Sequence, residues 1–170
     1  MWNDRDTPLA YLVTFRSYGT WLHGDRRGSI DRFQNRYKAP YIEPNPQWHR
    51  HNARELKRAP VILDAAQRKS VEQSIRANCE CRRWLLYALT VRTNHAHIVV
   101  SIGSLKPDRA LIAFKANATK QMRLDGCWTQ HSTPWAEKGS KRYLWNEQSV
   151  ARAIDYVLNG QGDALPDFED

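Results

Sequence analysis

No stretch of this chain is apolar over anything near the ~20 residues that a membrane-spanning helix needs. A helical role inside the bilayer is therefore excluded. Cysteine is scarce, and Cys79, Cys81 and Cys127 are odd in number and lack CxxC spacing. That pattern argues against a disulfide-stapled scaffold and a cysteine zinc site, and leaves reduced, structural thiols. The opening MWNDRDTP does not resemble a secretory leader, so the expected compartment is the cytoplasm. Internal repeats and low-complexity tracts are also missing. Acidic residues are in deficit, with 18 Asp and Glu against 26 Lys and Arg, for a net charge of +8. The sequence pI is near 9.6, and the basic residues are spread along the chain. This favours a polyanion-binding surface, with nucleic acid ahead of an anionic membrane. The plain alternative is a protein that happens to be basic. What is present suits one domain with a real core: 170 residues, 41% hydrophobic, with seven Trp and seven Tyr.

Taken in order, the first element is a strand, Tyr11 to Ser17, in which Leu12, Thr14 and Arg16 alternate with Val13 and Phe15. Residues 25–60 break the pattern. They hold Pro40, Pro44 and Pro46, and aromatics (Phe33, Tyr37, Tyr41, Trp48) set among cations. At most a short helix at His49–Lys57 is expected in this irregular insertion. Such a segment either stacks bases and tracks phosphates, or is a loop held down by its own rings. Asp64 and Gln67 form a capping box, and Val71, Ile75 and Cys79 give the following helix an apolar stripe to about Arg82. Trp84 to Val91 is a near-continuous apolar run that fits a central strand. Arg92-Thr93-Asn94 then turns the chain into a second strand ending near Ile102. A helix follows from about Arg109 to Leu124, with Leu111, Phe114, Ala118 and Met122 inward. The short strand Lys141 to Trp145 precedes a last helix capped by Asn146 and ending near Gly160, and the acidic tail beyond Gly162 is expected to fray. This order predicts an α+β, ferredoxin-like split βαβ fold. Its four-stranded antiparallel sheet would carry two packing helices, plus a C-terminal helix.

Chemistry concentrates in the second hairpin strand, Asn94-His95-Ala96-His97-Ile98-Val99-Val100. Side chains alternate along a strand, so His95 and His97 share one face while Ala96 and Ile98 occupy the other. Two imidazoles side by side are half of a divalent-metal site, or else half-exposed strand histidines. The last helix bears on that choice. Val150, Ala153, Ile154, Val157 and Leu158 form a stripe at helical spacing. Tyr156 points more than 90° from its centre, on a flank with Ser149, Arg152 and Asn159, free to be exposed. A phenol with a pKa near 10 is a weak nucleophile unless a base, a metal or a cation assists it. Asn159 and Gln161 offer amide oxygens suited to completing a metal site.

These two segments, NHAHIVV and AIDYVLNGQG, together with YLVTFRSYGTWLHGD and WAEKGSKRYLW, resemble the single-tyrosine HUH transposases. That family includes the REP-associated tyrosine transposases and the insertion-sequence enzymes that move as single-stranded DNA. The resemblance implies that His95 and His97 hold Mg2+ or Mn2+, and that Tyr156 attacks DNA to form a 5′-phosphotyrosine link. The partner would be single-stranded or hairpin DNA. The family's third ligand is usually an amide one turn past the tyrosine. Here that position is Gly160, so Gln161 is the preferred substitute and Asn159 the next. Relatives act either as monomers or as homodimers that exchange the tyrosine helix, and both states stay open. The expected phosphate contacts are Arg16, Arg26, Arg27, Arg92, Lys115, Lys138, Lys141, Arg142 and Arg152.

Other residues read more plainly. His49 and His51 share the histidine spacing but lie in Pro-rich, charged sequence, and His23 and His131 stand alone. Trp135 and Trp145 are expected in the core rather than against bases, and Tyr87 and Tyr143 are expected to pack within strands. Two rivals to a strand transferase remain: a domesticated protein that grips DNA hairpins without cutting, and a metal phosphohydrolase that uses water.

Overall fold

The computed structural model describes residues 6–20, 46–54 and 56–160. Strand β1 (Ala10–Arg16) is followed by helix α1 (Pro46–Arg54), helix α2 (Ala65–Arg82) and the hairpin strands β2 (Leu85–Val91) and β3 (His95–Ser101). Helix α3 (Pro107–Leu124), strand β4 (Ser140–Leu144) and helix α4 (Glu147–Asn159) complete the order. The strands form one antiparallel sheet in the order β2-β3-β1-β4. This is the ferredoxin-like α+β layout that the element order predicts. Helix α1 falls three residues earlier than the expected 49–57. Residues 21–45, with most of the irregular insertion, lie outside the described residues.

Local chemistry accounts for the helix ends. The Asp64 carboxylate accepts the Gln67 N–H at 2.8 Å, and the Gln67 side-chain oxygen accepts the Asp64 N–H at 2.9 Å. The capping box thus satisfies two of the backbone donors that the start of α2 would otherwise leave unpaired. Helix α3 starts at Pro107, two residues before the expected start. Proline is suited to that first position because its fixed φ is helical and no N–H is needed there.

The central strands β1 and β3 are buried on both sides. Tyr11, Val13 and Phe15 of β1, with Ala96, Ile98 and Val100 of β3, pack against α2 and α3 through Val71, Ile75, Leu111, Phe114, Ala118 and Met122. Each fully buried Phe or Ile in that layer contributes on the order of 1.5–3 kcal/mol. On the opposite face Ala10, Leu12, Ala88, Val99 and Leu144 are covered by α4 through Ala153, Tyr156 and Val157. The sheet is therefore sandwiched, and the histidine face is the α4 face.

Three expectations are corrected. Strand β2 is an edge strand, not a central one. Its apolar run arises because α2 covers one face and α4 the other, while Leu85 and Tyr87 stay exposed. The register shifts between Leu86 and Ala88, so Tyr87 is the extra residue of a bulge. Helix α4 buries Ser149, Ala153, Tyr156 and Val157 and leaves Leu158 exposed. Its covered face is rotated from the most apolar stripe toward Tyr156, because the sheet beneath offers histidine and threonine as well as valine. Finally, Trp135 is buried as expected, but Tyr143 and Trp145 are exposed. β4 is the other edge strand of the sheet, and α3 and α4 reach it without burying these two rings.

Candidate active site

His95 and His97 project from one face of β3, with ring centroids 4.5 Å apart. The alternation that places them together also sends Ala96 and Ile98 into the α2–α3 layer, where both are fully buried. Tyr156 comes down from α4 onto this pair, its ring 5.4 Å from that of His97 at an interplanar angle of 64°. Two histidines and a tyrosine from segments sixty residues apart thus share one site. Tyr156 is 7% exposed rather than free on a flank.

Sheet register supplies partners that the sequence did not single out. Thr14 of β1 and Thr90 of β2 both pair with His97, so three polar side chains lie in one row across the sheet. Thr14 Oγ1 lies 2.7 Å from His97 Nδ1. Thr90 donates its hydroxyl to the Val157 carbonyl at 2.8 Å, which fastens the last turn of α4 over the histidine strand. Beside these, Asn94 Oδ1 lies 2.7 Å from His95 Nδ1. An oxygen acceptor there fixes the proton on Nδ1 and makes Nε2 the lone-pair nitrogen of the His95 ring. Thr14 can do the same for His97, so both rings can present Nε2 as a Lewis base.

His97 is 2% exposed, and its Nε2 is buried with no hydrogen-bond partner among the described residues. Burial, with His95 and Arg92 nearby, pushes its pKa down to about 3. The ring is therefore neutral at physiological pH, the form that binds a metal. A buried, unpartnered ring nitrogen next to a second imidazole fits a divalent cation. The oriented Nδ1 atoms match the outer support that metal-binding histidines use.

Among the described residues no third His, Cys, Asp or Glu joins the pair. Asn159 is exposed, and its amide donates to the Asp155 carboxylate at 3.0 Å on the outer side of α4. Gln161 lies outside the described residues. Gly160 brings the chain tightly against the tyrosine. Its N–H donates to the Tyr156 carbonyl at 2.9 Å, and a Cβ there would sit 3.1 Å from Tyr156 Cα and Cδ2.

The cations divide into two groups. Arg16 pairs with His95 in the β1–β3 register, and the N–H of Arg92, one residue past the end of β2, donates to the His95 carbonyl at 2.8 Å, so the two arginines stand opposite His95 from either side. Arg142 pairs with Leu12 on the same sheet face, and Arg152 stands one helical turn before Tyr156. Lys115, Lys138 and Lys141 instead line a groove between α3 and β4, on the other side of the sheet. Lys115 donates to the carbonyls of Ala136 and Lys138, and Lys141 pairs with Asp108. Arg26, Arg27 and His23 lie outside the described residues, as does the side chain of His49. His51 and His131 are exposed.

No protein-family model matches the chain, and no curated protein matches it. Among solved structures, it is similar in fold to a protein of Deinococcus radiodurans R1 provisionally described as a transposase, with 12% identity and a TM-score of 0.50. The match covers 94% of this chain and 95% of that one. The likeness therefore extends over nearly the whole architecture, and it is a likeness of fold. Among the described residues no helix is long and apolar enough to cross a membrane.

Proposed function

We propose that this protein is a transposase acting on single-stranded DNA, which cleaves and rejoins strands by transesterification through Tyr156. The observation that carries the reading is the buried, unpartnered Nε2 of His97 beside His95 and under Tyr156. The transposase-like fold of the Deinococcus protein and the basic charge are consistent with it.

In this reading His95 and His97 would hold Mn2+ or Mg2+ with Gln161 as the third ligand, and Asn159 would have to turn away from Asp155 to take its place. Bound there, such an ion would supply Lewis-acid polarisation of the scissile phosphate. Arg16 and Arg92 hold phosphates on either side of His95. The phenol oxygen of Tyr156 attacks phosphorus, its proton leaves to solvent or a nearby base, and the 3′ oxygen departs as the P–O bond breaks. The aryl phosphodiester keeps the energy of the broken bond, so attack by another 3′-hydroxyl rejoins DNA without ATP. Burial of the Tyr156 ring holds the nucleophile in one place.

The test is a covalent adduct. A single-stranded hairpin oligonucleotide incubated with the protein and Mn2+ is expected to give a denaturant-resistant protein–DNA species that is lost in Tyr156→Phe. Cleavage that persists in Tyr156→Phe would mean hydrolysis by water. Hairpin binding with no cleavage by the unaltered protein would mean a domesticated binder.

A further inference from the structure

Strand β4 ends the sheet with two aromatic rings uncovered. Tyr143 is 37% exposed and Trp145 is 42% exposed, with ring centroids 6.0 Å apart and planes tilted by 54°. From behind, Tyr143 is braced edge-on by Tyr11, itself 4% exposed, at 5.0 Å and 86°. That brace fixes the orientation of the outer ring at little entropic cost on binding. Single exposed hydrophobics are ordinary. A braced pair at a sheet edge next to cations is a more specific arrangement.

The cations lie on the same side. Alternation puts Lys141 in line with Tyr143, and both pair with β1 residues of the α2–α3 layer, Val13 and Tyr11. Lys141 also opens the groove of about 360 Å³ that Lys115, Lys138, Ile112 and Asp108 line. Lys115 is committed to two backbone carbonyls, and Lys141 is paired with Asp108. Lys138 is exposed, and an exposed ammonium can meet a phosphate.

We propose that the Tyr143–Trp145 edge is a stacking platform for an unpaired DNA strand, with bases on the two rings and phosphates passing Lys138. Stacking rings interleaved with cations are what sequence-tolerant single-strand binding requires. The net charge of +8 favours a polyanion over a peptide or a second copy of this chain. Position supports it as well. β4 lies two strands from β3, roughly 10 Å across the sheet, and Tyr143 is three residues, ~10 Å, beyond Ser140, the β4 partner of Thr14. A strand leaving the site around this edge meets the rings within a few nucleotides. Its identification as the flank of a cleaved substrate rests on the proposed function; the binding itself does not.

The test is fluorescence anisotropy of labelled oligothymidylate with the full chain in EDTA, where cleavage is not being read. Trp145→Ala is expected to weaken binding roughly five- to hundredfold and Tyr143→Ala to act in the same direction, while Trp145→Phe retains most of it. Affinity for a duplex should be unchanged in all three. Lys138→Ala should reduce the salt dependence by about one phosphate contact. Oligouridylate bound with the same sensitivity to Trp145→Ala would also support the platform, since rings stack on bases whichever sugar carries them. Wild-type oligothymidylate affinity in Trp145→Ala and Tyr143→Ala, at unchanged melting temperature, would overturn it. So would a change in sedimentation with no change in DNA affinity, which would make the edge a protein contact. Loss of strand binding in Trp145→Ala, together with absence of any Tyr156 adduct in the unaltered protein, would keep the platform and remove the transferase.

Discussion

Replacing Thr14 by Val leaves shape nearly unchanged and deletes one hydroxyl, the one 2.7 Å from His97 Nδ1. Because His97 is buried and its Nε2 already lacks a partner, the substitution leaves both ring nitrogens unsatisfied. Stranding a buried polar atom costs about 1–3 kcal/mol, so the metal-free variant should be less stable by that amount. A second effect is on ligand quality. Without an acceptor at Nδ1, nothing holds the tautomer and ring angle that expose the Nε2 lone pair, and losing such outer support typically weakens metal binding by about 10–100-fold. Denaturant unfolding with and without MnCl2 separates the two effects. At a Mn2+ concentration of ~100 times the wild-type Kd, wild type should gain about 2.7 kcal/mol, and Thr14→Val only about 0.4–1.4 kcal/mol. Thr14→Ser keeps the hydroxyl and should restore most of the gain. An equal Mn2+ gain in wild type and Thr14→Val would refute the orienting role of Thr14. No gain in either would refute the metal site.

Acid stability should report on His97. Its folded pKa of about 3 lies below the ordinary 6.5, so the unfolded chain binds the extra proton between those values and stability falls as pH drops from 6.5 toward 3. The loss is at most about 4–5 kcal/mol, and His97→Gln, which does not titrate, should flatten that limb of an unfolding-versus-pH curve. An unchanged slope would place the acid sensitivity elsewhere. Gly139→Ala would put a Cβ 2.5 Å from the Thr14 carbonyl and 2.9 Å from Leu111 Cδ1. The displaced backbone should cost about 2–4 kcal/mol, read as a lowered melting temperature; a neutral outcome would mean that β4 can move aside. Gly160→Ala presses a methyl onto Tyr156 at 3.1 Å. It should lower adduct yield by about tenfold while leaving hairpin affinity unchanged, since small displacements of a nucleophile are costly.

What the sequence determined by itself is local. Strand alternation alone puts His95 and His97 on one face, and both the Asp64 capping box and the Asn146 cap are visible as residue types at fixed offsets. The stripes Val71-Ile75-Cys79 and Leu111-Phe114-Ala118-Met122 are likewise readable from spacing, and all of them are buried. Each of these follows from covalent geometry within a few residues. The tertiary structure decided everything that depends on which distant surface meets which. Register brought Thr14 and Thr90 beside His97, and no pattern within β1 or β2 specifies that pairing. The rotation of α4 buried Tyr156 in place of Leu158, because a sheet face carrying imidazoles and hydroxyls accepts a phenol where the hydrophobic stripe alone would not have placed one. Strand order sent β2 to one edge of the sheet and left Tyr143 and Trp145 uncovered at the other. Whether a ring is core or surface depends on its neighbours across the fold, since hydrophobic cover is supplied by whichever element reaches it, not by the residues next in the chain.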